Sequence, residues 1–89
     1  MSESAIGGEI DQLRALKKTF DREAQTVQEL TMRLRAELQN TWWKGPAAER
    51  FRAAWGADFE PALRRLSGAL QEGSAEVDRR TEALLQAGT

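Results

Sequence analysis

Few side chains here could do chemistry. The 89 residues include no histidine, cysteine or tyrosine, so catalysis would need a buried carboxylate pair. Most of the fourteen acidic residues instead alternate with the thirteen basic ones, the pattern of solvated helix faces rather than of a buried acid–base site. The sequence therefore predicts a protein that is not an enzyme. No disulfide can form, the usual ligands of a structural zinc are missing, and metal bound by carboxylates alone is a weak basis for a site, so neither metal nor cofactor is expected. The distinctive residues are aromatic. Thr41 to Phe51 reads TWWKGPAAERF, with two adjacent tryptophans at a glycine–proline corner, and five of the six aromatics lie between Trp42 and Phe59. Phe51, Trp55 and Phe59 are spaced four apart, on one face of a helix. Such a cluster is either a plug that seals the end of a core or a partly exposed docking surface for a partner, and the two roles can fall to different residues.

Charge excludes other classes. The near balance of acids and bases gives no basic field of nucleic-acid size, and the pairs Arg64–Arg65 and Arg79–Arg80 lie near acids. The stretch MSESAIGGEIDQL has neither a basic n-region nor an apolar segment, so no conventional signal peptide is expected, and no 18-residue apolar run could span a bilayer. A soluble protein made in the cytoplasm is expected, with any export using another signal. An amphipathic, membrane-active protein is a further alternative, but balanced polar faces attract anionic lipid poorly.

The elements that must position the aromatics are two helices. Ile6, Ile10, Leu13, Leu16, Phe20, Ala24, Val27, Leu30, Leu34 and Leu38 cover 32 residues in nine steps, close to 3.6 per step. Gly7 and Gly8 weaken the first turn, so the spacing predicts a flexible tail over 1–7 and a helix over about 8–41, roughly 50 Å long. After a turn at 42–45, Pro46 opens a second helix to about residue 86. Its stripe runs Ala48, Phe51, Trp55, Phe59, Leu63, Leu66, Leu70, Gly73, Val77, Thr81 and Leu84. Pro61 predicts a kink near 57–61, Gly73 on the stripe predicts close helix approach, and residues 87–89 are expected to fray.

Helices this long joined by so few residues must form an antiparallel all-α hairpin, a single domain over 8–86. One chain of this size has a thin core, and each stripe is wider than one helix can cover. A dimer completing a four-helix bundle is the expected solution. Its interface is assigned to Leu13, Leu16, Phe20, Val27, Leu30, Leu34 and Leu38 of the first helix, with Phe51, Trp55, Phe59, Leu63, Leu66, Leu70 and Val77 of the second.

With Trp43-Lys44-Gly45 at the midpoint between two amphipathic helices, and the stripe of Phe51, Trp55 and Phe59 after Pro46, nearly the whole chain resembles the WXG100, or ESAT-6-like, family. The resemblance implies a substrate of type VII (ESX) secretion, leaving the cell without a cleaved signal peptide as a folded homodimer or heterodimer. A membrane-bound ATPase of the FtsK/SpoIIIE class would recognise it, so that contact with a membrane comes only through the secretion machinery. It also implies a bipartite export signal. Trp43 and Gly45 would form the corner element, with Trp42 as support or added contact, and a Tyr-x-x-x-Asp/Glu element near the partner's C-terminal end would complete it.

This chain departs from that pattern because it has no tyrosine. Ser74 to Asp78 and Asp78 to Glu82 keep the spacing without the aromatic, and the sequence stops near where the tyrosine would fall. The favoured explanation is a heterodimer in which a second WXG100-family protein supplies the missing element. A shortened C-terminus, or a homodimer exported by another route, is the alternative, as is a helical adaptor with no export role.

Overall fold

The computed structural model describes the backbone of residues 2–88 and the side chains of residues 7–88, so the side chain of Ile6 and all of Met1 and Thr89 lie outside the described residues. Helix α1 spans Ser2–Asn40, α2 spans Pro46–Ala54, a π-helical turn covers Trp55–Phe59, and α3 spans Glu60–Ala87. The described residues contain no strand.

Helix α1 begins at Ser2 rather than near Gly8, and Gly7 and Gly8 lie inside it. A glycine costs about 1 kcal/mol against alanine in a helix, a penalty that lowers helix stability without ending the helix. The corner sits where the sequence places it. Gly45 has φ +113°, a value that a side chain would strain. Pro46 follows with its φ already set, and the Glu49 N–H closes the first turn of α2 on the Gly45 carbonyl at 3.0 Å.

The second helix is continuous through Pro61. Because proline offers no N–H and crowds the turn before it, the chain widens there, and the Glu60 N–H reaches back five residues to the Trp55 carbonyl. The disturbance expected at 57–61 takes the form of this wider turn at 55–59.

Helices α1 and α3 pack along their length in opposite directions, in a rod of 65 × 17 × 14 Å. Cross-helix polar contacts set the register, from Arg80–Glu9 at the open end through Lys17–Ser74 and Gln28–Ser67 to Arg35–Glu60 near the corner. The seam repeats in steps of three and four. Ile10, Leu13, Lys17, Phe20, Ala24, Val27 and Thr31 face Leu63, Ser67, Leu70, Ser74, Val77, Thr81 and Leu84, and all fourteen are buried or half-buried. This spacing belongs to helices that wind around each other. Small side chains let the two axes come close, as at Gly73, where an added Cβ would stand 3.2 Å from the Phe20 ring. The buried hydroxyls are satisfied: Thr31 donates to the Val27 carbonyl, Thr81 to that of Val77, and Ser67 to that of Ala24.

The seam divides the predicted interface stripe. Leu13, Phe20, Val27, Leu38, Trp55, Leu63, Leu70 and Val77 are at least half-buried within the hairpin, whereas Leu16, Leu30, Leu34, Phe51, Phe59 and Leu66 remain exposed.

Candidate partner-recognition corner

Aromatic side chains at the corner divide into one buried anchor and a surface ladder. Trp55 is 8% exposed and plugs the end of the seam. Of the two roles open to the aromatic cluster, Trp55, at the start of the π-helical turn, takes that of the plug. Trp43 is 39% exposed and its ring centre lies 6.0 Å from that of Phe51, which lies 5.8 Å from Phe59. Both contacts are tilted, within the range in which aromatic pairs attract. A straight α-helix would drift in phase over the eight residues between Phe51 and Phe59; the extra residue in the π-helical turn brings them back into contact. Trp42 is 84% exposed, so it supports nothing inside the chain and is available as an added contact.

Arg52 joins these aromatics to the corner backbone. Its Nε donates to the Leu38 carbonyl at 3.0 Å, Nη2 to Thr41 at 3.1 Å, and Nη1 to Trp43 at 2.6 Å. The guanidinium carbon also stands 5.7 Å from the centre of the Trp43 ring, within cation–π range. Sequence reasoning missed Arg52 because an arginine nearly two turns into an amphipathic helix looks like an ordinary solvated residue. Its distance in sequence from the carbonyls it holds, nine to fourteen residues, left no local signal.

Beneath the corner, an open groove of about 490 Å³ is lined by Arg35, Leu38, Thr41, Lys44, Arg52 and Trp55, among others. Glu60, nearly buried, accepts from Arg35 at 2.6 Å and from Arg64 at 3.2 Å. The hydrogen bond from Arg35 holds its carboxyl below the usual carboxylate range, against the opposing effect of desolvation. The buried indole N–H of Trp55 has no hydrogen-bond partner of good geometry and adds only a minor pull on the same carboxylate. Farther along the seam, Ser74 donates to Asp21, and Lys17 bonds both Asp21 at 2.9 Å and Ser74 at 3.2 Å. The Ser74 hydroxyl, then Lys17, lowers the Asp21 pKa, and the bond to Asp21 raises that of Lys17.

Two kinds of exposed apolar surface result. One is the ladder from Trp43 to Phe59 at the end of the rod, and the other lies along its length and includes Leu16, Leu30, Leu34 and Leu66, with Met32 and Leu85 exposed as well. Both suit contact with other proteins, since single molecules seldom leave so many large apolar side chains uncovered. Among the described residues no group of acidic, histidine or cysteine side chains could hold a metal, and no helix is long and apolar enough to cross a membrane.

Comparison with known proteins adds one match. The sequence model of a family described as proteins of 100 residues with WXG matches residues 6–89, nearly the whole chain. Nothing among curated proteins or solved structures matches it.

Proposed function

The chain belongs to the WXG100 family, and from that premise we propose that it is one subunit of a folded pair exported by type VII secretion. Family membership points to a small secreted protein of that system. In our reading Trp43 and Gly45 form the corner half of the export signal, and a second hairpin of the same family supplies the tyrosine-containing half, which is not among these 89 residues. The pair is made in the cytoplasm, leaves without a cleaved signal peptide, and engages an ATPase of the secretion machinery through the completed signal. The chain contributes surfaces rather than catalysis.

The observation carrying this reading is the state of Trp43. It is anchored through its carbonyl and ring by Arg52 and Phe51, yet 39% of it stays uncovered at the end of the rod. A residue serving only the core would be covered, as Trp55 is. The exposed leucines of α1 and Leu66 of α3 supply the face on which a second hairpin completes a four-helix bundle.

The test is secretion of Trp43→Ala from a host carrying the cognate type VII system, with pairing followed in parallel by light scattering. Loss of secretion with pairing retained supports the corner as signal. Unchanged secretion makes the chain an adaptor or a differently addressed substrate, and loss of folding makes Trp43 a core plug.

A further inference from the structure

Helix α1 ends without the usual means of satisfying its last carbonyls. It carries no basic residue in its last turn, and Asn40 and Thr41 are followed by tryptophan rather than by a capping glycine. The Thr41 N–H takes the Glu37 carbonyl at 2.9 Å, leaving later carbonyls to find donors elsewhere. Arg52, from the other helix, donates to one of them, Leu38, and to the Thr41 and Trp43 carbonyls just beyond the helix. Its planar fork reaches Leu38, Thr41 and Trp43 together, so one guanidinium closes the C-terminus of α1, places positive charge at its negative dipole end and fixes the loop path to Trp43.

We infer that Arg52 is the positioning residue of the recognition corner: it sets the backbone and ring of Trp43 in the orientation a partner reads, without itself being the surface read. This rests on the proposed export role of Trp43. Two features separate it from simple capping. The bond to the Trp43 carbonyl lies beyond the helix end, where capping does not require it, and the guanidinium also stands near the Trp43 ring. That ring in turn meets Phe51, which meets Phe59, so movement of Trp43 disturbs the whole exposed ladder.

The experiment compares Arg52→Gln and Arg52→Lys with the parent chain. Three quantities are measured: helicity and melting, the indole ¹⁵N–¹H resonance of Trp43 assigned through Trp43→Phe, and secretion. Glutamine removes the charge and most of the fork; lysine keeps the charge but, as a compact ammonium, cannot hold three separated carbonyls in one plane. Both variants should remain helical and paired, displace the Trp43 resonance, and lower secretion about tenfold, as expected for loss of charge-assisted hydrogen bonds. Full secretion of both variants with a displaced resonance would overturn the inference, as would lost secretion with an unmoved one. If Arg52→Gln unfolds, the lysine variant decides on the same criteria. Trp43→Ala separates the two levels: its normal secretion sinks the export reading, whereas its loss beside normal secretion of both Arg52 variants sinks only the positioning role.

Discussion

The Phe20 ring lies over the backbone of Gly73, where a Cβ would stand 3.2 Å from both Cε2 and Cζ. This contact sets how closely α1 and α3 approach in the middle of the seam. Gly68, about one and a half turns earlier, faces open space, with nothing within 4 Å of where its own Cβ would stand. The two glycines should therefore respond oppositely to substitution. Gly73→Leu is expected to lower stability by about 1–3 kcal/mol through overpacking, while Gly68→Ala should raise it by about 0.5–1 kcal/mol through helix propensity alone. Denaturant melts of both variants check this; equal responses would mean that Phe20 moves aside freely.

Leu30 is 38% exposed on the lone hairpin, so it tests the outer face rather than the seam. Leu30→Asp should leave helicity nearly unchanged while abolishing association, because a carboxylate buried against a partner without a counter-charge costs several kcal/mol. Light scattering with far-UV circular dichroism separates the two effects, and retained pairing would place Leu30 outside the interface.

Trp55 predicts the opposite behaviour. It is buried at the corner end of the seam, so Trp55→Ala should cost about 3–5 kcal/mol and destabilise the hairpin itself. The exposed Trp42→Ala should change stability by less than about 0.5 kcal/mol. Thermal melts of the two variants measure the difference between anchor and surface, and similar losses would mean that Trp42 packs against a partner in the assembled protein.

Much of this arrangement was legible in the sequence. The hairpin, its corner and the close approach at Gly73 followed from hydrophobic period, from glycine and proline placement, and from chain length. The division of the stripe did not follow, because several seam positions are polar: Lys17, Thr31, Ser67 and Ser74 are at least half-buried but carry no apolar signal. Their burial depends on hydroxyl, carboxylate and backbone carbonyl partners supplied across the seam or by the preceding turn, which a search for hydrophobic periodicity passes over. For the same reason the exposed Leu16 and Leu30 looked equivalent to Leu13 and Val27. At the corner, the tryptophans pointed to the right segment, but which of them was the plug depended on the turn that Pro61 imposes just after Trp55.

The cross-helix carboxylates make stability depend on pH in a defined direction. Asp21, through Ser74 and Lys17, and Glu60, through Arg35, both titrate below the usual carboxylate range in the folded chain. Their ionised forms therefore stabilise the hairpin at neutral pH, and that contribution is lost as pH falls through the lowered folded-state values. Melting temperature should hold from neutrality to about pH 5 and decline below about pH 4. The Asp21→Asn, Glu60→Gln double variant should melt lower at neutral pH and show a shallower acid decline. Lys17 acts in the reverse sense, since its raised pKa keeps its contribution until strongly alkaline pH. Because Lys17 and Asp21 are partly solvated, salt should weaken their part of the effect more than that of the nearly buried Glu60. Melts across pH at low and high salt measure both dependences, and an acid decline unchanged in the double variant would assign it to other carboxylates.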